Sequence, residues 1–131
     1  MLTRELLSVN MSGTAFSPAE AERRTGLTFA RKNEPGGFTE RGRYEHEPAP
    51  FGSASLNVLD ETPDEGKLSR LLDVVLSHTD TLRQLGVEEM YVYVGYFWRD
   101  QCNLSLEPEE LGRLAALGVP FWISCYEDSD E

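Results

Sequence analysis

The sequence is poor in the residues that bind metal ions and in long apolar runs. It holds two cysteines, Cys102 and Cys125, and two histidines, His46 and His78. None of them shows the C-x-x-C type of spacing that is typical of zinc sites, so we expect no metal and no other cofactor. Because Cys125 alternates with apolar residues of a predicted strand, we expect a buried free thiol there. A disulfide with Cys102 is possible, but such bonds are rare in a reducing compartment.

Basic residues are also scarce, since 12 Lys and Arg stand against 23 Asp and Glu and give a net charge of -11 at pH 7. Such a chain repels nucleic acids and anionic membranes, so neither is expected as a partner. It would be steered instead towards a basic partner, although the negative charge also has a plain explanation in solubility. No apolar run approaches the roughly 20 residues of a membrane-spanning helix. The first residues lack a secretory pattern, and we therefore expect a cytoplasmic protein.

The sequence also lacks the residue spacings that are typical of catalytic sites. The pair Gly36-Gly37 is not followed by the Lys and Ser or Thr of a phosphate-binding loop. Nothing in the sequence pairs a Ser or Cys nucleophile with a histidine base. Carboxylate pairs carry no information in a chain with 23 acidic residues. We predict no catalytic residue, and a non-enzymatic function is favoured while an enzyme stays open.

The length of 131 residues fits one domain, 1–131. Glycines and prolines predict a long irregular loop over 28–52, with short extended pieces near Phe29–Lys32 and Arg43–His46, and the chain ends in an acidic tail, 127–131. Four basic residues of the loop could surround an anionic ligand, although pairing with the chain's own carboxylates is the plainer account. They are Arg31, Lys32, Arg41 and Arg43.

Three helices are predicted from their capping residues. The first begins at Ser17-Pro18 and ends at Gly26, and the second runs from Thr62-Pro63 to Gly86. The third begins at Glu107-Pro108 and ends at Gly118. The second helix carries the i, i+3, i+4 apolar pattern and is predicted to be the main core helix.

Four further segments alternate between two kinds of residue, which predicts strands with one buried and one outward face. The apolar positions are Leu7, Val9, Met11; Ala54, Leu56, Val58; Met90, Val92, Val94; and Phe121, Ile123, Cys125. The outward positions are Ser8, Asn10, Ser12; Ser53, Ser55, Asn57; Tyr91, Tyr93, Phe97; and Trp122, Ser124, Tyr126. The predicted fold is an α+β two-layer sandwich, with one mainly antiparallel sheet of at least four strands and three helices packed on one face.

The outward face is rich in Ser, Asn, Tyr and Trp, a composition that protein-binding surfaces share. We predict partner-binding anchors at Tyr91, Tyr93, Trp122 and Tyr126, with Glu127 and Asp128 at the rim. The same face could instead be covered by the 28–52 loop or by a second copy in a homodimer. The negative charge disfavours a base-stacking RNA platform.

One resemblance covers nearly the whole chain. The segments Phe16–Glu20 and Thr25–Leu27 resemble the opening of the bacterial family known as domain of unknown function 4279. Its second half is similar to Leu104–Leu111 and Leu114–Gly118, and its last strand is similar to Phe121–Tyr126. These motifs are mostly helix caps and apolar positions.

The chain departs from that family in the middle, where Ala30–Asn33 and Ser53–Val58 stand in place of tryptophan-bearing segments. The resemblance implies a small bacterial domain and brings no catalytic residues. Acidic proteins of this kind look like immunity partners of secreted toxins. The favoured hypothesis is a non-enzymatic protein-binding module, most concretely a bacterial immunity protein that neutralises a toxin. The alternatives are an anionic-ligand or enzymatic domain using the basic loop 31–43, and a self-associating structural domain.

Overall fold

The computed structural model describes residues 1–38 and 46–128 and shows an α+β fold in this part of the chain. The elements are β1 (Leu2–Gly13), α1 (Pro18–Thr25), β2 (Arg31–Asn33), β3 (Gly52–Val58), α2 (Lys67–Gln84), β4 (Glu89–Trp98), α3 (Pro108–Leu117) and β5 (Phe121–Glu127). The strands form one mixed sheet in the order β2-β3-β1-β4-β5. β2 and β3 are antiparallel, whereas β4 and β5 are parallel. The predicted fold class is confirmed.

The caps of α1 and α3 lie where the sequence predicts them. Ser17 caps α1, its hydroxyl accepting the backbone N–H of Glu20 at 3.3 Å. Glu107 caps α3, and its backbone N–H donates to the Glu110 carboxylate at 3.0 Å. Gly26 and Gly118 end the two helices with φ of 79° and 68°. That left-handed conformation favours glycine, which explains the sharp ends of both helices.

The long helix α2 begins later than predicted, at Lys67 instead of the Thr62-Pro63 pair. The Asp64 carboxylate accepts the backbone N–H of Gly66 at 3.0 Å. Such a bond to the chain two residues on forms a turn that competes with helix formation. The buried Lys67 then fixes the start of α2, because its ammonium donates to the backbone carbonyl of Asp60 at 2.6 Å.

The predicted alternation is confirmed in β1 and β4. Leu7, Val9 and Met11 are buried in β1, and β4 buries Val92 and Val94. β1 is longer than the sequence pattern indicated, since the alternation of buried residues extends back from Leu7. The buried side of β1 therefore also contains the carboxylate of Glu5.

Contacts divide the chain into two compact units. The first unit comprises Met1–Ser8, Val58–Ser77 and Tyr91–Glu131, and the second comprises Val9–Asn57 and His78–Met90. Buried apolar and aromatic side chains of the first unit are Leu7, Leu68, Leu71, Leu72, Val75, Val92, Val94, Tyr96, Leu114 and Leu117. The single domain 1–131 stays a prediction.

The second unit is built around an aromatic pair. The buried rings of Phe16 and Phe29 meet edge to face, with centroids 6.5 Å apart. Strand β2 confirms one of the two extended pieces expected in the 28–52 loop, since it pairs with β3. The other expected piece, Arg43–His46, lies mostly outside the described residues.

Candidate functional site

Five aromatic side chains of β4 and β5 form one group in the first unit, here named the aromatic surface. They are Tyr91, Tyr93, Phe97, Trp122 and Tyr126. The parallel register pairs Tyr93 with Trp122 and Phe97 with Tyr126. Paired residues of neighbouring strands point to the same side of a sheet. The structure therefore brings together all four aromatic anchors that the sequence predicted, and it adds Phe97.

The rings of the aromatic surface contact one another. Tyr91 and Trp122 have centroids 6.0 Å apart with planes tilted by 50°. Phe97 stacks on Tyr126, with centroids 4.9 Å apart and planes 25° from parallel. The hydroxyls of Tyr93 and Tyr126 lie 3.1 Å apart. Such contacts hold each ring in place and add to the stabilisation from burial.

The pKa values of these two tyrosines shift in opposite directions. The hydrogen bond with Tyr93 lowers the pKa of Tyr126, and a further bond with Ser124 acts in the same direction. For Tyr93, the Ser124 hydroxyl acts to lower the pKa, but the Tyr126 hydroxyl and desolvation outweigh it and raise the pKa. Either hydroxyl can be the donor in this pair.

Two neighbours set the position of these rings. A Cβ added at Gly95 would lie 3.3 Å from the Tyr93 hydroxyl and 3.5 Å from its ring carbon Cε1, so the Tyr93 ring lies across the glycine. At the other end, the guanidinium carbon of Arg4 lies 4.4 Å from the Phe97 ring centroid. Arg4 also donates to the Glu61 carboxylate, with Nε 3.1 Å from Oε1. A cation–π contact therefore closes this end of the aromatic surface.

The aromatic surface lies at an edge of the sheet. β5 is the last strand in the order, and Trp122, Tyr126 and Tyr91 are 61%, 45% and 40% exposed. The expectation that the alternate residues of β5 are buried is wrong, because Ile123 is 43% exposed. Among the described residues, β4 is the only strand beside β5. A strand with one neighbour is covered less than a central strand, which explains this exposure.

The two predicted rim residues differ in their surroundings. Glu127 is the last residue of β5 and is exposed. Asp128 is half-buried, and its backbone N–H donates to the carbonyl of Trp98 at 2.7 Å. Its carboxylate accepts the hydroxyl of Thr3. Glu127 is thus open to a partner, whereas Asp128 is already hydrogen-bonded within the first unit.

The expectation of a buried thiol at Cys125 is also wrong. Cys125 and Cys102 are both exposed free cysteines, and their sulfurs lie 3.3 Å apart. Desolvation raises the pKa of the Cys102 thiol, and the contact with Cys125 adds to this. The edge position of β5 again gives the reason, because alternation along a strand buries a side chain only where other elements cover that side.

A second site in the first unit lies on the other side of β4. This acidic cavity has a volume of about 430 Å³. The lining residues used below are Glu5, Asp64, Tyr96, Trp98, Glu107 and Glu110. The sequence pattern does not predict this cavity, although it contains one signal of it. Continuing the buried alternation of β1 back from Leu7 places Glu5 among the core residues.

The carboxylate of Glu5 is the most buried acid of the cavity lining, at 5% exposure. Its Oε2 accepts the backbone N–H of Asp64 at 3.3 Å. Desolvation raises the pKa of Glu5; the hydrogen bond from the Asp64 N–H and the charge of Lys67 oppose this in part, and the negative charges of Asp64 and Glu110 add to it. Burial, with the charges of Glu5 and Glu110, raises the pKa of Tyr96 to about 12. The cavity is therefore a region of negative potential.

The predicted anion-binding residues belong to the second unit. Arg31 and Lys32 are exposed on β2, and the Lys32 ammonium lies 2.6 Å from the Glu22 carboxylate. This contact lowers the pKa of Glu22. Arg41 and Arg43 lie outside the described residues. An anion site on this loop stays a prediction.

Comparisons with known proteins leave the function to be argued from these sites. No family model, no curated protein and no solved structure matches the chain. Within the described ranges, the helices include none that is both long and apolar enough to cross a membrane. The same ranges contain no group of three or more His, Cys, Asp or Glu placed to hold a metal ion.

Proposed function

We propose that this protein is a non-enzymatic protein-binding module whose aromatic surface binds a basic protein. The observation that supports the proposal is the exposure of Trp122, Tyr126 and Tyr91 together on and beside an edge strand. Tyr and Trp are the residue types that most often anchor protein interfaces. Their mutual contacts keep the rings ordered before a partner arrives.

Charge supports a basic partner. The excess of 23 acidic over 12 basic residues steers a positively charged protein towards this chain. Glu127 stands exposed at the end of β5, next to the anchor Tyr126. In this proposal the acidic residues accelerate the encounter, and the aromatic rings supply most of the affinity when they are buried.

The outer edge of β5 offers a second kind of contact. An edge strand presents backbone N–H and C=O groups that a partner strand can pair with. The seven residues Phe121–Glu127 are long enough for such pairing. A partner that adds a strand here contacts Trp122 on one side of the sheet and Ile123 on the other.

In its most concrete form, the module is a bacterial immunity protein that acts in the cytoplasm and neutralises a cognate toxin. This form draws on the resemblance to the domain of unknown function 4279 family. The negative charge and the absence of a catalytic motif in the sequence agree with it. The mechanism is occlusion, in which the acidic and aromatic residues cover a basic surface of the toxin.

The test compares binding of one purified partner to matched variants. The partner is recovered with the wild type and identified by mass spectrometry, and its affinity is then measured by calorimetry. Trp122→Ala is expected to weaken binding about 30-fold, as a 2 kcal/mol anchor does, and Tyr93→Ala with Trp122→Ala weakens it further. Leu111→Ala is the control, because Leu111 is an exposed apolar residue of α3 outside the aromatic surface.

Two outcomes would overturn the proposal. Full affinity in the double variant means that the aromatic surface is not the binding site. If light scattering instead shows a wild-type dimer that Trp122→Ala dissociates, the surface is a contact between two copies of this chain. An acidic partner would contradict the role given to charge.

A further inference from the structure

The acidic cavity has the size and walls of a small-ligand site. Its volume of about 430 Å³ lies within the range of roughly 300–1,000 Å³ that such sites occupy. Two rings of β4 line it, Tyr96 and Trp98, with centroids 6.1 Å apart and planes tilted by 57°. Aromatic walls attract organic cations through the negative faces of their rings.

The charged groups of the lining all have one sign. They are the carboxylates of Glu5, Asp64, Glu65, Glu107 and Glu110, and the described lining includes no Lys, Arg or His. One of these carboxylates, Asp64, forms an ion pair with Arg70, and the carboxylates of Glu5 and Glu110 accept the backbone N–H groups of Asp64 and Glu107. The remaining negative charge of the lining is not neutralised by a lining residue.

Glu5 supplies an acceptor that the fold leaves unused. The side chain is buried, and its Oε2 accepts the Asp64 N–H. Within the described part of the chain, Oε1 makes no hydrogen bond. The nearby Lys67 ammonium donates to the backbone carbonyls of Asp60, at 2.6 Å, and of Glu5, at 3.5 Å, instead of to this carboxylate. Oε1 is not among the described buried polar atoms that lack a partner, so it is open to the cavity, where a ligand N–H can reach it.

The arrangement suits an organic cation better than a metal ion. In residues 1–38 and 46–128, no three metal-ligating side chains are placed around a common point. One unused carboxylate oxygen beside two aromatic rings matches an ammonium or guanidinium group, which donates N–H bonds and also contacts ring faces. We propose that the acidic cavity binds an organic ammonium or guanidinium cation, held by Glu5 between Tyr96 and Trp98.

This proposal is independent of the aromatic surface. The cavity uses Tyr96 and Trp98, whereas the aromatic surface uses Tyr91, Tyr93 and Phe97 of the same strand, and alternate residues of a strand point to opposite sides. The cation could be a free amine or the Lys or Arg side chain of a peptide. Both sources share the chemistry that the cavity recognises, and the experiment separates them.

The experiment is calorimetric titration of the purified chain with butylammonium, butylguanidinium and, as the neutral probe, butanol. We expect saturable binding of at least one cation and none of butanol. Glu5→Gln is expected to weaken cation binding at least about tenfold, because it removes the charge and keeps the side-chain shape. Glu109→Gln is the matched control, since Glu109 is an exposed acid of α3 outside the lining and its change alters net charge equally.

Equal weakening by Glu5→Gln and Glu109→Gln would overturn the proposal, because it would show general charge attraction. Saturable binding of butanol, or no binding of either cation, would also overturn it. Circular dichroism verifies that Glu5→Gln folds, and Glu110→Gln gives a second lining variant that should also weaken binding. Titrations with spermidine and with capped tripeptides centred on Lys or Arg then decide between a free amine and a partner side chain.

Discussion

Both sides of β4 carry tyrosine, but the two sides give its hydroxyl different surroundings. On one side Tyr91 is exposed and Tyr93 is hydrogen-bonded to Tyr126 at the open edge of the sheet. On the other side Tyr96 is buried beside carboxylates, and its pKa rises to about 12. The difference shows that burial and neighbouring charge, and not residue type, set the chemistry of these tyrosine hydroxyls.

The largest expected effect concerns the thiol pair on the cavity side, since the register pairs Cys125 with Tyr96. Treatment with hydrogen peroxide should join Cys102 and Cys125, with each thiol losing a hydrogen and the peroxide being reduced to water. A sequence separation of 23 residues predicts a gain of about 3 kcal/mol in the free energy of unfolding. Urea unfolding with and without dithiothreitol measures this gain.

Thiol titration should find two reactive groups before oxidation and none afterwards. Cys102→Ser serves as the control. At protein concentrations too low for a disulfide between two molecules, its free energy of unfolding should be the same with and without dithiothreitol. If both thiols can still be titrated in the monomer after peroxide treatment, the result would contradict the 3.3 Å separation of the sulfurs.

The next effect tests the buried side of β4 directly. Val94 is fully buried, so Val94→Ala should lower the free energy of unfolding by roughly 1.5–3 kcal/mol through lost methyl burial and a residual void. Chemical denaturation measures the change. A loss below about 0.5 kcal/mol, the usual size at surface positions, would mean that this side of the strand is not packed as described.

A pH-dependent effect should follow from Glu5. Its pKa in the folded state is raised above the ordinary value of 4.5, so its contribution to stability is full below that value and is lost as the pH rises through the folded-state pKa. Glu5→Gln removes this loss. The variant should therefore gain stability relative to the wild type between pH 4 and pH 7, in the absence of added cations.

Unfolding curves recorded at both pH values provide the measurement. A difference between variant and wild type that stays constant, or shrinks on going to pH 7, would show that desolvation is not the dominant influence on Glu5. Glu109→Gln again supplies the comparison, because its carboxylate is exposed.

The smallest effect is expected on the exposed side. Trp122→Ala should change the free energy of unfolding by no more than about 0.5 kcal/mol, because its side chain is 61% exposed. The same variant is expected to lose most of its partner affinity. A large loss of stability instead would mean that Trp122 serves the fold, and the contrast between the two sides of β4 would then fail.

Local signals in the sequence were enough for most of the fold. Caps such as Ser17 and Gly118 act within one helical turn, so they can be recognised from a few neighbouring residues. In β1, the apolar residues of the alternating pattern are the buried ones. The start of α2 was misplaced for a local reason too, since the Asp64 side chain forms a turn where a helix was expected. Competition between two local motifs is not resolved by the sequence pattern alone.

The sites depended on information that a sequence pattern does not contain. Alternation placed Tyr93 and Trp122 on one side of their strands, but it did not reveal that β5 is an edge strand, and Cys125 and Ile123 were wrongly expected to be buried. The acidic cavity draws residues from β1, β4 and α3 and from the turn before α2. Its assembly depends on contacts between residues far apart in the chain. The one local sign of the cavity is Glu5, a carboxylate at a buried position of the β1 alternation.

Gly95 has a consequence for the thermodynamics of binding. The Tyr93 ring lies across this glycine, and its hydroxyl is held by Tyr126, so the ring has few rotamers left to lose. Ordering a mobile side chain in an interface costs about 0.5–1.5 kcal/mol of entropy. A methyl group at residue 95 would lie 3.3 Å from the Tyr93 hydroxyl and would force this hydroxyl to shift by a few tenths of an ångström from its position beside Tyr126. The affinity of the proposed interface therefore depends in part on the absence of a side chain at residue 95.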